Sequence, residues 1–221
     1  HFASAENQGA RGSLQTADIQ GTQNLVEAAA DAGVDRIVYL SHLGAARASA
    51  YPAFKAKGIA EESIRNGKVP YTIIRTSLVY GPEDHFTTNL ASLIRASVGV
   101  FPIPSGKRTV VQPVWVEDLV TCLLWAIQND ETINKVYEIG GNEFFTLPEI
   151  IQIIMDTTRK RRYLLPLSPI TLRGLTLFLD SVVPNFPISS LFVDYFAVNR
   201  TTAVDSMSRY FGLMPARFSY R

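Results

Sequence analysis

The segment from residue 36 to residue 82 constrains the fold of this chain more than any other. It begins with the apolar run RIVYLS, continues with PAFKAKGIAEESIRN, which has helical character, and ends with a second apolar run, YTIIR, and a Tyr-Gly-Pro turn. Continuous apolarity in such short runs is typical of parallel strands that are buried on both faces. A strand, a helix and a second strand predict one unit of an open parallel sheet, which binds ligands at the carboxyl ends of its strands.

The rest of the chain continues this alternation of helices and strands. Helices are predicted over residues 18–32, 86–98 and 116–128, a strand over 136–139, and a last helix from a capping box, Thr146 with Glu149, to about residue 159. The alternation predicts an α/β fold with a doubly wound parallel Rossmann-type sheet. We assign residues 1–160 to this domain and residues 161–221, which are rich in Leu, Phe and Pro, to a small helical and variable C-terminal part.

Composition excludes several classes of protein. With 47% hydrophobic and 19% charged residues, the 221-residue chain has enough apolar side chains for a folded core. A net charge of +1 gives no electrostatic reason to expect nucleic acid as a partner. The single cysteine, Cys122, lies in an apolar helical pattern, so we expect it to be buried and without a disulfide. No spacing of His, Cys and carboxylate residues matches a metal site.

The chain opens on the apolar fragment HFAS, which begins with His1 and not with methionine. We expect this fragment to be the end of a strand that is already under way. The glycine-rich phosphate loop of a dinucleotide-binding fold normally follows the first strand, and no such loop occurs here. The sequence therefore predicts that the N-terminal strands of the sheet are missing.

Polar residues gather where the two central strands end. Ser41 ends the first strand, where its hydroxyl either donates to a substrate oxygen or caps the following turn. Arg75 ends the second strand. Ser77, Val79 and Tyr80 follow it, at the place where the ring of a ligand would lie.

The helix between these strands offers two lysines. Tyr51 and Lys55 are four residues apart, a spacing at which a lysine lowers the pKa of a phenol if both lie on one helix face. A proline directly after Tyr51 leaves that geometry open. Lys57 lies on a different face of the helix from Lys55. It lies either in a solvated stripe with Glu61 or in the crevice, where it would bind the ribose hydroxyls of a cofactor.

Several ordered segments resemble the extended, atypical branch of the short-chain dehydrogenase/reductase superfamily. They are QGTQNLVEAA, RIVYLSHLGA, KGIAEESIR, VPYTIIRTSLVYGP, QPVWVEDLV and YEIGGNEFFTLPEI. Within that branch, the chain is similar to NmrA-like proteins and to the nucleotide-binding accessory subunit of respiratory complex I. The resemblance covers residues 18 to about 154 and implies a Rossmann domain that binds NAD or NADP.

The resemblance also implies roles for single residues. Ser41 matches the family's serine after the strand, and Lys57 matches the family's lysine, which places the catalytic tyrosine at Ala53. Tyr51 would have to serve from a shifted register. Asp18 stands where many relatives have asparagine. The resulting candidates are catalytic Ser41, Tyr51 and Lys57, and cofactor-binding Ala3, Ser41, Lys57, Arg75, Ser77, Val79 and Tyr80.

Three functions remain open on these grounds. The first is an NAD(P)-dependent oxidoreductase or epimerase that acts on a small molecule. The second is a non-catalytic NAD(P)-binding sensor, or an assembly or accessory protein of a respiratory complex, which the alanine at position 53 favours. The third is quinone or lipid chemistry in an apolar C-terminal groove lined by Leu177, Phe178, Leu191 and Phe192. We expect a cytoplasmic protein, with peripheral membrane contact as an alternative, and the sequence leaves the oligomeric state open.

Overall fold

The computed structural model describes residues 1–5, 12–105, 109–182 and 196–220. Its strands are β1 (Ile37–His42), β2 (Tyr71–Thr76), β3 (Val79–Tyr80), β4 (Val100–Pro104), β5 (Val110–Val111), β6 (Val114–Trp115), β7 (Lys135–Ile139), β8 (Phe145–Thr146) and β9 (Tyr163–Leu167). Its helices are α1 (Gly21–Asp31), α2 (Pro52–Asn66), α3 (His85–Ala96), α4 (Val116–Gln128), α5 (Leu147–Thr158), α6 (Pro169–Val182) and α7 (Ser206–Phe211). A π-helical turn, Gln15–Gln20, leads into α1, and short 3-10 turns lie at Asp130–Thr132 and Phe218–Tyr220.

The central sheet has three parallel strands in the order β1–β2–β7. Helices cover both of its faces. Side chains of α1 and α2 pack on Tyr39 and Ile73 of the sheet, and side chains of α4 pack on Ile74 and Ile139 of the other face. The prediction of a doubly wound parallel sheet is confirmed. Each large aliphatic side chain buried in these layers stabilises the fold by about 1.5–3 kcal/mol.

Local sequence signals account for the helix ends around the sheet. Helix α2 begins at Pro52, whose missing N–H and fixed φ suit the first helical position. Helix α5 begins at the predicted capping box, in which the Glu149 carboxylate accepts hydrogen bonds from the Thr146 amide at 2.7 Å and hydroxyl at 2.8 Å. Gly33, with φ of 64°, lies directly after α1, as its predicted role as a helix stop requires.

A second group of elements packs beside the sheet. Strand β4 pairs with β9 in parallel, β3 pairs with β6 in parallel, and β5 pairs with β8 antiparallel. Helices α3 and α5 pack on these short strands through buried Leu90, Ile94, Ile150 and Ile151. The C-terminal part was expected to be helical, and it contains α6 as well as the strand β9. The sequence YLLPL does not predict this strand, because its proline, Pro166, disfavours a position inside a sheet.

Residues near the end of the described chain complete the core. Phe196 and Phe218 belong to the same buried cluster as α3 and α5, and Met207 of α7 belongs to the cluster around α4. The backbone of Arg200 pairs with that of Val111. Within the described ranges, no helix has the length and apolarity that a membrane crossing needs.

Candidate functional site

Three polar residues stand side by side at the carboxyl end of the sheet. The strand register places Ser41 of β1 opposite Arg75 of β2, and Arg75 opposite Glu138 of β7. This edge of an open parallel sheet is where such folds hold their ligands.

A buried carboxylate on α2 joins these strand ends. The Ser41 hydroxyl donates to Oε1 of Glu61 at 2.6 Å, and Glu61 is fully buried. Arg75 donates to Glu61 through Nε at 2.9 Å and Nη2 at 2.7 Å, and to Glu138 through Nη1 at 3.0 Å. These hydrogen bonds, with Glu61 contributing most, hold the pKa of the Arg75 guanidinium above its ordinary value, so Arg75 stays charged.

The Glu61 contact changes what Ser41 is able to do. A serine hydroxyl has one proton to donate, and in this structure it faces the Glu61 carboxylate. Its oxygen can still accept a hydrogen bond. Donation to a substrate oxygen would require the contact with Glu61 to break.

Lys57 points into the protein and meets a second buried carboxylate. Its Nζ lies 3.1 Å from Oδ1 of Asp18 and 5.5 Å from the centre of the Tyr39 ring. Asp18 is also fully buried, and its Oδ2 accepts a hydrogen bond from the Ala5 amide at 2.9 Å. Because both Lys57 and Glu61 are buried, the solvated-stripe alternative is wrong. Lys57 points inward, and its binding of ribose hydroxyls stays a prediction.

The tyrosine position of the family pattern holds no phenol. Ala53 lies four residues before Lys57 on α2 and is fully buried. Tyr51 precedes the helix, with an extended backbone of φ −97° and ψ 123°, and its amide donates to Ser49 Oγ at 3.2 Å. Lys55 is exposed to solvent. The Tyr51 carbonyl accepts the hydrogen bond of the Lys55 amide at 2.9 Å, but because the Tyr51 backbone is extended, its side chain does not share a helix face with that of Lys55.

The residues after β2 have structural contacts of their own. The Ser77 hydroxyl donates to the Arg200 carbonyl at 2.8 Å and accepts from the Gln112 amide at 3.0 Å, so it joins three distant segments. Val79 pairs with Val114 in the β3–β6 ladder.

The Tyr80 ring is packed between Trp115 and Phe218, at 5.3 and 4.7 Å between ring centres. All three aromatic residues line a cavity of about 450 Å³ between α3 and α5. Gly81 and Pro82 line the same cavity, so a space of ligand size opens beside Val79 and Tyr80, which form β3.

The opening residues run beside β1. The His1 amino group donates to the Val38 carbonyl at 2.8 Å, and the Leu40 amide donates to the His1 carbonyl at 3.5 Å. This pairing is parallel, and it leads Ala3, which is exposed, toward the carboxyl end of β1.

The remaining predicted sites were compared with the described residues. Leu177 and Phe178 are 53% and 61% exposed, and Leu191 and Phe192 lie outside the described residues. The described ranges contain no group of three His, Cys, Asp or Glu residues that could hold a metal ion.

Sequence reasoning missed the two partners that define the site. The sequence predicts no partner role for Asp18, a departure from the family's asparagine, or for Glu61, which it places in a solvated stripe and in the motif KGIAEESIR. The signal for Glu61 was its place one helical turn after Lys57, on the face that also carries the buried Ala53.

The sequence was then compared with known protein families. The model of the NmrA-like family matches residues 10–204. The chain belongs to the NmrA-like family. This agrees with the resemblance inferred from the motifs around Ser41, Lys57 and Arg75.

Curated relatives of this NmrA-like chain include subunits of a respiratory enzyme. It is 33% identical over 129 residues to "NADH dehydrogenase [ubiquinone] 1 alpha subcomplex subunit 9, mitochondrial" of Arabidopsis thaliana, a match over 58% of this chain and 32% of the relative. It is 24% identical over 149 residues to the photosystem II assembly factor Ycf39 of Synechocystis, covering 63% of this chain and 41% of the relative. The chain thus spans about a third of the length of the first relative.

A solved structure shows the same fold. The NADPH-dependent quinone oxidoreductase from Escherichia coli, complexed with NADPH, aligns with a TM-score of 0.74 at 18% identity, over 99% of this chain and 72% of that one. At this identity, the likeness establishes the Rossmann-type fold.

Proposed function

We propose that this NmrA-like chain contributes the nicotinamide-ribose side of an NAD(P) site in a protein with a non-catalytic, accessory or regulatory role. One observation carries the non-catalytic part. Where the family pattern expects the tyrosine acid, the chain has the buried methyl group of Ala53, and the neighbouring Ser41 proton faces Glu61. General acid catalysis needs a proton donor within hydrogen-bond reach of the reacting atom.

Lys57 supports the binding part of the proposal. An ammonium group has three N–H donors, and the Lys57 Nζ lies 3.1 Å from Asp18 Oδ1, while the side chain is held on the rigid helix α2. The ion pair fixes the position of Lys57, so that its N–H donors suit the vicinal hydroxyls of a ribose. NAD and NADP share that ribose, so both cofactors fit the proposal.

The cofactor would lie along the carboxyl ends of β1 and β2. Ala3 and Ser41 would flank the nicotinamide side, with the Val79–Tyr80 backbone beyond it. Arg75 would act as a positioning residue, because its guanidinium is taken up by Glu61 and Glu138. When bound, a nicotinamide cofactor supplies hydride chemistry, and this chain's own residues would bind and orient it.

The binding proposal is tested by titrating NADH and NADPH into the full natural chain and into variants, with cofactor fluorescence as the signal. Lys57→Ala should weaken binding roughly tenfold or more, because a charge-assisted hydrogen bond is lost. Lys55→Ala, which removes an exposed lysine two residues away, is the matched control and should bind as the natural protein does.

A folding defect is separated from a binding defect by a second variant. Lys57→Ala leaves the buried Asp18 carboxylate without its cation, whereas Lys57→Ala with Asp18→Ala removes both charges. Equal affinity of the natural protein and both variants would remove Lys57 from the site. Steady oxidation of NAD(P)H with carbonyl or quinone acceptors would overturn the non-catalytic part.

Association with a larger assembly is proposed for the same protein, at the surface of a membrane or in the cytoplasm. Helix α6 leaves Ile170, Leu177, Phe178 and Val182 more than half exposed, and clustered exposed apolar residues mark interaction surfaces. The names of relatives that are subunits of NADH dehydrogenase [ubiquinone] support a respiratory complex as the class of partner. In co-sedimentation with respiratory membranes, Phe178→Gln should reduce the bound fraction, and an unchanged fraction would exclude this face.

A further inference from the structure

A second cavity, separate from the sheet edge, lies between α3, β4, α5 and α6. Its volume is about 400 Å³, which is within the range of pockets that bind small ligands. It is lined by Leu90, Leu93, Ala96, Ser97, Phe101, Pro102, Pro104, Leu147, Ile151, Leu172, Leu175, Thr176 and Leu179. Eleven of these thirteen residues are apolar, so the cavity is suited to a hydrocarbon.

The cavity has a buried floor and an open rim. Leu90, Phe101 and Ile151 on the floor are at most 7% exposed, whereas Ala96 and Leu175 on the rim are open to solvent. An elongated apolar group could therefore enter from the surface and reach the core cluster without unfolding any described element.

The two hydroxyl groups in the wall already have partners. Thr176 Oγ1 donates to the Leu172 carbonyl at 2.9 Å, and Ser97 Oγ donates to the Ile94 carbonyl at 2.9 Å. Neither proton is directed into the cavity. A ligand with a polar middle would lose its hydrogen bonds to water there, so the part inside the cavity must be a plain alkyl chain.

A positively charged side chain lies beside the wall of the cavity. Arg162 Nε donates to the carbonyl of Ser97 at 2.9 Å and to its hydroxyl at 3.1 Å, and its Nη1 donates to the Arg161 carbonyl at 2.9 Å, which fixes the guanidinium beside a wall residue. Arg159, Lys160 and Arg161 precede it and are exposed. Arginine is the side chain best suited to carboxylate and phosphate groups.

We propose that this cavity binds the alkyl chain of an anionic amphiphile, with its carboxylate or phosphate at Arg162. Apolar walls with satisfied hydroxyls and a fixed cation beside the wall match a molecule with a single charged head and a hydrocarbon tail. A free fatty acid and an anionic phospholipid share this chemistry. The site is independent of the proposed cofactor site, since no residue of the sheet edge lines it.

The site is tested with cis-parinaric acid, a fatty acid that becomes fluorescent in an apolar environment. Titration should show saturable binding to the natural chain. Leu172→Trp, which places an indole in the cavity, should weaken binding of the fatty acid at least roughly tenfold, because the indole occupies the space of the alkyl chain. Leu124→Trp is the matched control, an exposed leucine on α4 that is 53% exposed and does not line the cavity.

The charge requirement is tested separately. Arg162→Gln should weaken binding of the acid roughly tenfold and leave binding of its methyl ester unchanged. Displacement of bound cis-parinaric acid is then measured with palmitate and, separately, with anionic phospholipid vesicles. The more effective competitor shows whether the ligand is a free fatty acid or a phospholipid. If Leu172→Trp is unfolded by circular dichroism, Ala96→Trp at the exposed rim replaces it.

Three results would overturn the proposal. They are the absence of saturable binding to the natural chain, equal binding by the cavity variant and the Leu124→Trp control, and equal binding of the acid by Arg162→Gln and the natural chain. Tighter binding of the methyl ester than of the acid would also exclude an anionic ligand.

Discussion

Removing the guanidinium of Arg75 should destabilise the protein far more than removing an exposed one. Arg75→Met leaves the fully buried Glu61 carboxylate with the Ser41 hydroxyl and with Arg65, whose Nη2 is 3.5 Å away. Breaking a buried ion pair by removing one partner costs about 3–5 kcal/mol. Because Arg65 offsets part of the loss, we expect the free energy of unfolding to fall by about 3 kcal/mol.

A second ion pair, which also involves a carboxylate of α2, provides the control. Arg47 pairs with Glu62, the residue next to Glu61, but its side chain is 70% exposed and that of Glu62 is 39% exposed. Solvent screens such pairs, which contribute about 0–1 kcal/mol. Arg47→Met should therefore leave the free energy of unfolding nearly unchanged.

Urea unfolding measures both effects. With a slope of about 1–3 kcal/mol per molar urea, a loss of about 3 kcal/mol moves the midpoint by roughly 1–3 M. Adding Glu61→Met to Arg75→Met should recover most of the loss, because an apolar pair leaves no buried charge. Equal midpoints for Arg75→Met and Arg47→Met, or no recovery in the double variant, would refute the reasoning.

Two further predictions concern helix packing and a buried thiol. A methyl group on Gly58 would come within 2.3 Å of the Ala46 carbonyl carbon, so Gly58→Ala should lower the free energy of unfolding by about 1–3 kcal/mol. A methyl group on Gly174 would have nothing within 4 Å, so Gly174→Ala should raise the free energy of unfolding by about 0.5–1 kcal/mol. Urea midpoints of the two variants that move in the same direction would contradict this. Burial, aided by the nearby Asp118, raises the pKa of the Cys122 thiol from 9.0 to about 12, so its stabilising contribution is fully present below pH 9 and is lost as the pH rises towards 12. A thiol reagent at pH 8 should therefore modify Cys122 only as fast as the protein unfolds, and rapid labelling of the native protein would show that the thiol is accessible.

The elements that the sequence predicted well are those encoded by local signals. The bounds predicted for α2 and α4 are the observed ones, since a proline at the first helical position and an uninterrupted apolar pattern mark them. The capping box at Thr146 was found from four residues. Such signals act within a few residues of one another, so the sequence alone contains them.

The elements that the sequence did not predict depend on distant partners. Strand β9 exists because it pairs with β4 about sixty residues earlier in the chain, and its own composition disfavours a strand. The contact of Ser41 with Glu61 requires the register of a strand and the phase of a helix at the same time. The position of Lys57 also depends on tertiary structure. Whether it lies in a solvated stripe or in the crevice is decided by which face of α2 packs against the sheet.

The core residues between positions 196 and 218 affect how the chain folds during synthesis. Phe196, Met207 and Phe218 belong to buried clusters whose other members are mostly synthesised much earlier. The hydrogen bond from Ser77 to the Arg200 carbonyl likewise forms only after Arg200 is synthesised. A nascent chain held at residue 180 on the ribosome would present those unfilled apolar surfaces to the solvent. Because domains fold as units, the native packing around the parallel sheet should not be complete until residues 196–218 emerge, and chaperones would bind the exposed apolar surfaces during that interval.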